Sequence, residues 1–523
     1  MTFGNESGPC GCVRRPGLHP PKESLLKKKF ALFAAVVALA FLVACGGGGP
    51  ANPGTGASGF TNGTFKGSYV FTMNGECVSC STVAPMHSVG VMVADGNGNI
   101  TSGSWDVNIG GADQTTSITG TYSVTTDGKA SVTLNETGLG ATDSFVLMLN
   151  GTGGGYIVSA DSTWALSGVV ELRAAVPTTT PTGKYVFRAS GLDSSNNAQG
   201  IVGEMDLNAG TLVADMNNNG TITSVGTATV ASSSYDSTMG RGVLTVTSTS
   251  SLPSMSFAYY VVDAGIMEIV SADPSNGMQG RVEPTGGVVA SGNVLLGSFA
   301  FMASGYPVTG NIQVNEAGIL TGDGAGNITS GSLDTIFDTS NILGAALTGT
   351  GSVSTAGGVT RDVLTLAAAG STISMTQANV WLSSAGRGFF LTTTSDRAET
   401  GTVNLQTGAP FTDGGTFDFY VSGWVIGTGV QGLNSASLFK NSSGTVSGYS
   451  QELNIGGTPG FGTGTGTLSF DSTGTIGSLT LNNSPLGGAS TYRIYQYSSA
   501  NGFIMETDGG IIAAGEMSAQ TAQ

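Results

Sequence analysis

A chain of 523 residues has room for several domains. Its 84 glycines would suit a disordered polymer, but 39% hydrophobic residues are enough to build cores. Long helical patterns are nearly absent past the N-terminal segment. That leaves β-structure with many tight turns, where Gly and Asn supply positive φ. The net charge is −16, and residues 1–44 hide part of the acidity, carrying six basic side chains (Arg14, Arg15, Lys22, Lys27, Lys28, Lys29) against two acidic ones (Glu6, Glu23). An acidic surface repels phosphate backbones and argues against nucleic-acid binding.

In chain order, residues 1–24 come first, with Cys10, Cys12 and Arg14-Arg15-Pro16. They precede a complete n-region and read as lying upstream of the true start. Pro16 and Gly17 fit a twin-arginine signal poorly. Lys27 to Lys29 then form a positive cap, Phe30 to Leu42 an apolar run, and Ala44-Cys45 a small-residue end. This order is that of an export signal, and the run is too short for a comfortable membrane span of about 20 residues. Leu42-Val43-Ala44-Cys45 resembles the lipobox of bacterial lipoproteins. The resemblance implies cleavage before Cys45, a lipid on its sulfur, and membrane attachment through that lipid. With Gly46 rather than Asp after the cysteine, it also implies the outer membrane as destination. Cys45 opens a Gly-rich tether, residues 45–63.

Beyond the tether the chain repeats itself. Four segments open alike, at Gly67-Ser-Tyr-Val-Phe71, Gly183-Lys-Tyr-Val-Phe187, Gly297-Ser-Phe-Ala-Phe301 and Gly415-Thr-Phe-Asp-Phe419. A turn landmark recurs inside each, at Asp95-Gly-Asn-Gly-Asn99 and Asp323-Gly-Ala-Gly-Asn327 most visibly. Each then closes on an acid and a glycine: Asp161 and Gly168, Asp273 and Gly280, Asp396 and Gly401, Asp508 and Gly515. Three landmarks in one order, four times over, predict four homologous domains at 64–176, 182–288, 295–408 and 414–520.

Within the first unit the period is two, as in Ile118, Gly120, Tyr122 and Val124 against Thr119, Thr121, Ser123 and Thr125, which predicts strands with one buried and one wet face. Turn-bounded runs give about eight strands, near 68–73, 87–95, 100–108, 115–125, 129–135, 143–150, 155–161 and 166–173. Short links such as Asp127-Gly128 join antiparallel neighbours. A meander of eight strands removes its edges by closing. The fold class is therefore all-β, each unit an eight-stranded up-and-down barrel of lipocalin or avidin arrangement, though without a sequence motif of either. An immunoglobulin-like sandwich is the alternative, but its Cys…Trp…Cys spacing is missing. A barrel embedded in the membrane would want longer strands and aromatic girdles.

Candidate chemistry is sparse. Cys77-Val78-Ser79-Cys80 predicts a local disulfide in an exported protein. Haem attachment would need His where Ser81 stands, and a zinc site from Cys77, Cys80 and His87 lacks a fourth ligand. Asp95 and Asp323 begin an EF-hand-like pattern with acids at Asp106 and Asp334, but Ile100 and Ile328 stand where Gly is required. A strand of seven residues, roughly 23 Å, separates those acids from the loop. Hairpin turns explain the pattern. His87 is the sole histidine past the leader, no nucleophile elbow surrounds any Ser, and Gly456 to Gly466 precede no helix that could cradle phosphate. The sequence thus assigns no catalytic residue, metal or cofactor. It points to a lipid-anchored envelope protein with a structural or adhesive role. The alternative is a barrel holding a small apolar or carbohydrate ligand, with an envelope hydrolase less favoured. Surface glycans, proteins and small apolar molecules are the partner classes. Large side chains filling the barrels, Tyr122, Phe145 and Leu147 among them, would favour the first.

Overall fold

A computed structural model describes residues 59–521, apart from 81–82, 138–140, 287–294, 310–311, 357–358, 370–374, 409–413 and 427–430 and the single positions 152, 175, 250, 264, 339 and 385. The leader, Cys45 and most of the tether lie outside the described residues. From Lys66 onward every long element is a strand, 32 in all among the described residues. They form four closed barrels of eight strands, over 66–172, 184–284, 296–405 and 416–520, which we number 1 to 4. In each, consecutive strands pair antiparallel and the last returns to the first, as in Tyr69↔Leu172 and Phe299↔Leu405. That closing pair excludes the sandwich.

The landmarks explain why the barrels close. Both aromatics of each opening motif point inward and join the interior core of their barrel. The second stands opposite a strand glycine in three barrels: Phe71↔Gly90, Phe187↔Gly203 and Phe301↔Gly318. A Cβ on Gly90 would lie 2.4 Å from the Phe71 ring, so the missing side chain is the space the ring occupies. Tyr122, Phe145 and Leu147 are all part of the packed interior of barrel 1.

The alternation read from the sequence holds where one face meets solvent. Ala112–Val124 and Lys129–Thr137 alternate buried and wet positions. Other strands are covered on both faces. Thr142–Leu149 is buried at every residue from Phe145 on, because its outer side packs against another barrel. Apolar seams of this kind join each barrel to the next. Val70, Val89 and Val91 meet Ala258 and Tyr260 of barrel 2, and Val186 and Val202 meet Trp381 and Phe389 of barrel 3. Ala300 and Ile319 meet Tyr495 and Phe503 of barrel 4, while Val146 and Met148 of barrel 1 meet Ala436 and Leu438 of barrel 4. The last seam returns to the first barrel, so the four make a closed ring.

Candidate functional site

Each seam carries the same polar clamp, built by the third strand of one barrel on the next. Its acid and the residue two further on are Asp106 and Asn108, Asp215 and Asn217, Asp334 and Ile336, and Glu452 and Asn454. Asp106 accepts from Arg241 Nε and Nη2, both at 2.6 Å, and from the Tyr260 hydroxyl at 2.5 Å. Asp215 accepts from Arg361 and, at 2.9 Å, from Trp381 Nε1. Asp334 accepts from the Tyr495 hydroxyl and pairs with Arg493 at 3.0 Å; Glu452 pairs with Lys129 at 2.8 Å, closing the ring.

The asparagines satisfy backbone carbonyls in the turn before the neighbour's last strand. Asn108 Nδ2 donates to Ser271 and Asn276, and Asn217 to Thr392, Thr394 and Arg397. Asn454 donates to Ser159, Asp161 and Trp164. Where barrel 3 has Ile336, Asn341 donates to Thr507 instead, at 2.8 Å. Asp106 and Asp334, the acids of the EF-hand-like pattern, thus hold barrels together. Asp95 and Asp323 take their own hairpin turns: Asp95 accepts from the backbone of Asn97 at 2.7 Å and of Asn99 at 3.0 Å. Gly96 and Gly98 supply the positive φ there, 83° and 105°.

Ring closure leaves a central chamber of about 750 Å³ lined by all four barrels. Its walls are chiefly the first and last strands of each barrel, the closing pairs, with His87, Glu268 and Arg387 added from other strands. The outward residue after the second opening aromatic faces the centre: Thr72, Arg188, Met302 and Tyr420. So does the residue after each closing glycine: Val169, Arg281, Thr402 and Glu516. The repeat therefore fixes where these side chains go and leaves their chemistry free. Both signals lie inside motifs visible in the sequence, but the ring that makes those positions inward-facing is not.

The chamber is polar. Arg281 pairs with Glu171 at 2.8 Å, with Glu283 at 3.1 Å and with Glu268, and Arg387 pairs with Glu283 at 2.7 Å. Burial alone would raise Glu283, but Arg387 and Arg281 outweigh it and hold its carboxyl below the usual range. Burial pushes the Arg188 guanidinium down, opposed by Glu268 and Glu516. His87 sits on the same wall, 7% exposed, with neither ring nitrogen in a hydrogen bond of good geometry. Burial lowers it to about 4, against a side-chain contact from Gln279, so it is neutral near pH 7.

Cys77 is bonded to Cys80, with Cα atoms 5.6 Å apart, at the end of the first strand, so neither is a free thiolate to join His87 on a metal. No group of three His, Cys, Asp or Glu residues among those described is arranged for a metal. Gly456 to Gly466 lie mostly on the strand Thr458–Phe470.

Burial also sets the pH response of stability. It raises Glu268 to about 8, Asp418 to about 8 and Asp362 to about 7, desolvation being the largest cause in each. These groups hold a proton more tightly folded than unfolded. Their contribution is complete below the unfolded carboxyl value, about 4, and is lost as pH rises through 7 to 8. Glu283, held below the usual range, is ionised throughout that window and does not alter the balance. His87, lowered to about 4, opposes the three carboxyls only below its unfolded value of about 6.5, so the thermal midpoint is expected to be higher at about pH 5.5 than at about pH 8.5. A scan showing the reverse order would mean these carboxyls are ionised in the fold.

No protein-family model and no curated protein matches the sequence. Among solved structures, a double mutant of transferrin binding protein B from Haemophilus parasuis Hp5 is 11% identical, covering 71% of this chain and 84% of that one at a TM-score of 0.20. The isotype 1 transferrin binding protein B from serogroup B Neisseria meningitidis is 9% identical over 71% and 84%, with a TM-score of 0.21. A DUF3598-family protein of unknown function from Nostoc punctiforme is 13% identical over 42% and 94%, with a TM-score of 0.13. Likeness at this level carries no functional inference, and the chain is characterised by its own ring of four eight-stranded barrels around a charged chamber.

Proposed function

We propose that the chain is an exported, lipid-anchored envelope protein with a binding rather than a catalytic role, whose ligand sits between barrels instead of inside one. The central chamber is the observation that carries this reading. Four barrels with packed interiors are clamped around a space of about 750 Å³, within the range of small-molecule sites. A gap inside barrel 3, lined by Leu295, Phe301 and Phe390 among others, measures about 10 Å³ and has no room for a ligand. A ligand in a barrel mouth is therefore the weaker alternative. A purely adhesive role needs four separate surfaces for multivalency, whereas here part of each barrel's outer wall is spent on its neighbours.

Anchoring rests on Lys27 to Cys45 alone. Mass spectrometry of the native protein is expected to find an N-terminus beginning at acylated Cys45. The Cys45→Ala variant is expected to lose acylation and leave the membrane fraction. Recovery of residues 1–44 in the mature protein, or unchanged membrane association of the variant, would refute the anchor.

A further inference from the structure

We propose that the central chamber binds a small zwitterion of the amino-acid or short-peptide class, its carboxylate on Arg188 and its ammonium on Glu516. This rests on the chamber being the ligand site.

The lining charges are nearly all internally matched. Arg281 contacts the carboxyl groups of Glu171, Glu268 and Glu283, and Arg387 pairs with Glu283. Arg188 has none. It stands directly opposite Arg281 on the closing ladder of barrel 2, a like-charge pairing that is unfavourable unless each guanidinium finds an anion. Glu171, Glu268 and Glu283 are taken by Arg281, and Arg188 is left with a buried Nε that has no acceptor. Its Cζ lies over the Phe389 ring, 5.7 Å from the centroid. A guanidinium with an unpartnered buried donor is suited to a carboxylate.

Glu516 of barrel 4 is the complementary case. Among the described residues it joins none of the ion pairs, yet it acts electrostatically on Arg188, Tyr420 and Tyr497, so it faces the same space. An anion alone would leave Glu516 uncompensated beside it, and a cation alone would leave Arg188. A neutral polyol would desolvate both charges without pairing either. A molecule with one carboxylate and one ammonium matches both. The volume accommodates a short peptide as well as a free amino acid, at about 3.3–3.6 Å of chain per residue.

The test is calorimetric titration of the full chain in detergent with glycine, diglycine, triglycine and tetraglycine. The end-blocked analogues N-acetyl-triglycine and triglycine amide, with sucrose and citrate, complete the set. At least one free-ended member is expected to saturate the protein, and the length preferred tells amino acid from peptide. Blocking either end is expected to weaken binding about tenfold or more. Arg188→Gln should weaken the free-ended ligand comparably and abolish the effect of blocking the carboxylate; Glu516→Gln should do the same for the ammonium. Equal affinity for blocked and free ends overturns the assignment, as does unchanged binding in both variants. Saturation by sucrose or citrate alone overturns the zwitterion while leaving the chamber a binding site. No binding by any solute overturns both. If a variant fails to fold, the end-blocking series on the unaltered protein decides.

Discussion

Asp215→Ala is expected to be among the most destabilising single changes in the seams, by about 3–5 kcal/mol, because it strands a cation inside the protein. Asp215 is fully buried between barrels 2 and 3. One oxygen accepts from Arg361 and from Trp381 Nε1, and the other from the Val225 backbone at 2.8 Å. Alanine would leave the Arg361 guanidinium, its side chain only 8% exposed, without its counter-charge. The equivalent pair at the ring's closing seam is a built-in comparison. Lys129 and Glu452 are 26% and 15% exposed, so solvent takes over much of the lost interaction and Glu452→Ala should cost about 1 kcal/mol or less. Denaturant or thermal unfolding of the two variants side by side reads the difference. The double change Asp215→Leu with Arg361→Met should recover much of the loss, since a buried pair is replaceable by apolar side chains of similar size. Equal costs at 215 and 452 would show that the Asp215 pair is as hydrated as the Lys129 pair.

What the sequence disclosed divides along the same line between local and distant. The eight strands of barrel 1 were readable because alternation such as Ile118 to Val124 is a local record of one wet face. The repeat is readable because aromatics and glycines recur in the same order at similar spacing. Closure followed from the need to remove edges, and the Phe71–Gly90 pairing shows how that need is met. The clamps were not readable. In the sequence Asp106 stands out only as a misfit in a calcium pattern, because its partners Arg241 and Tyr260 lie 135 and 154 residues away. Asn454 gives no hint of caging the Ser159–Trp164 turn from 290 or more residues away. Nor does Arg188 look unusual: it follows Phe187 where the other repeats have Thr72, Met302 and Tyr420, and only ring closure turns that place inward. The prediction of one wet face per strand was incomplete for the same reason, since Val70 and Val146 have outer faces covered by other barrels.

Gly168→Ala is the second change expected to have a large effect, and its cause is the closing pair itself. A Cβ at Gly168 would lie 1.8 Å from the carbonyl oxygen of Thr72 on the first strand, and at Gly280 1.8 Å from that of Arg188. Gly515 repeats this at 1.9 Å from Tyr420 O, and at Gly401 the obstacles are the Phe390 ring at 2.3 Å and Met302 O at 2.4 Å. These four close the repeats, and each first strand is pressed against its last at that point. None of the four has a positive φ, so the requirement is for space and not for backbone freedom. Because the obstacle at Gly168 is backbone, no rotamer change relieves it, and the ladder from Tyr69↔Leu172 to Cys77↔Trp164 must spread. Ordinary overpacking costs about 1–3 kcal/mol; a clash that opens a barrel's closing seam should cost about 4 kcal/mol or more. Gly509→Ala, with nothing within 4 Å of the added atom, is the control and should stay within about 0.5 kcal/mol of the parent. The same alanine at Gly280 should also disturb the chamber, because the pinch there sets Arg281 opposite Arg188. Ligand binding at Gly280→Ala should therefore fall further than at Gly168→Ala for a similar loss of stability. Equal stability of Gly168→Ala and the Gly509 control would mean that the first and last strands are not pressed together as the structure has them.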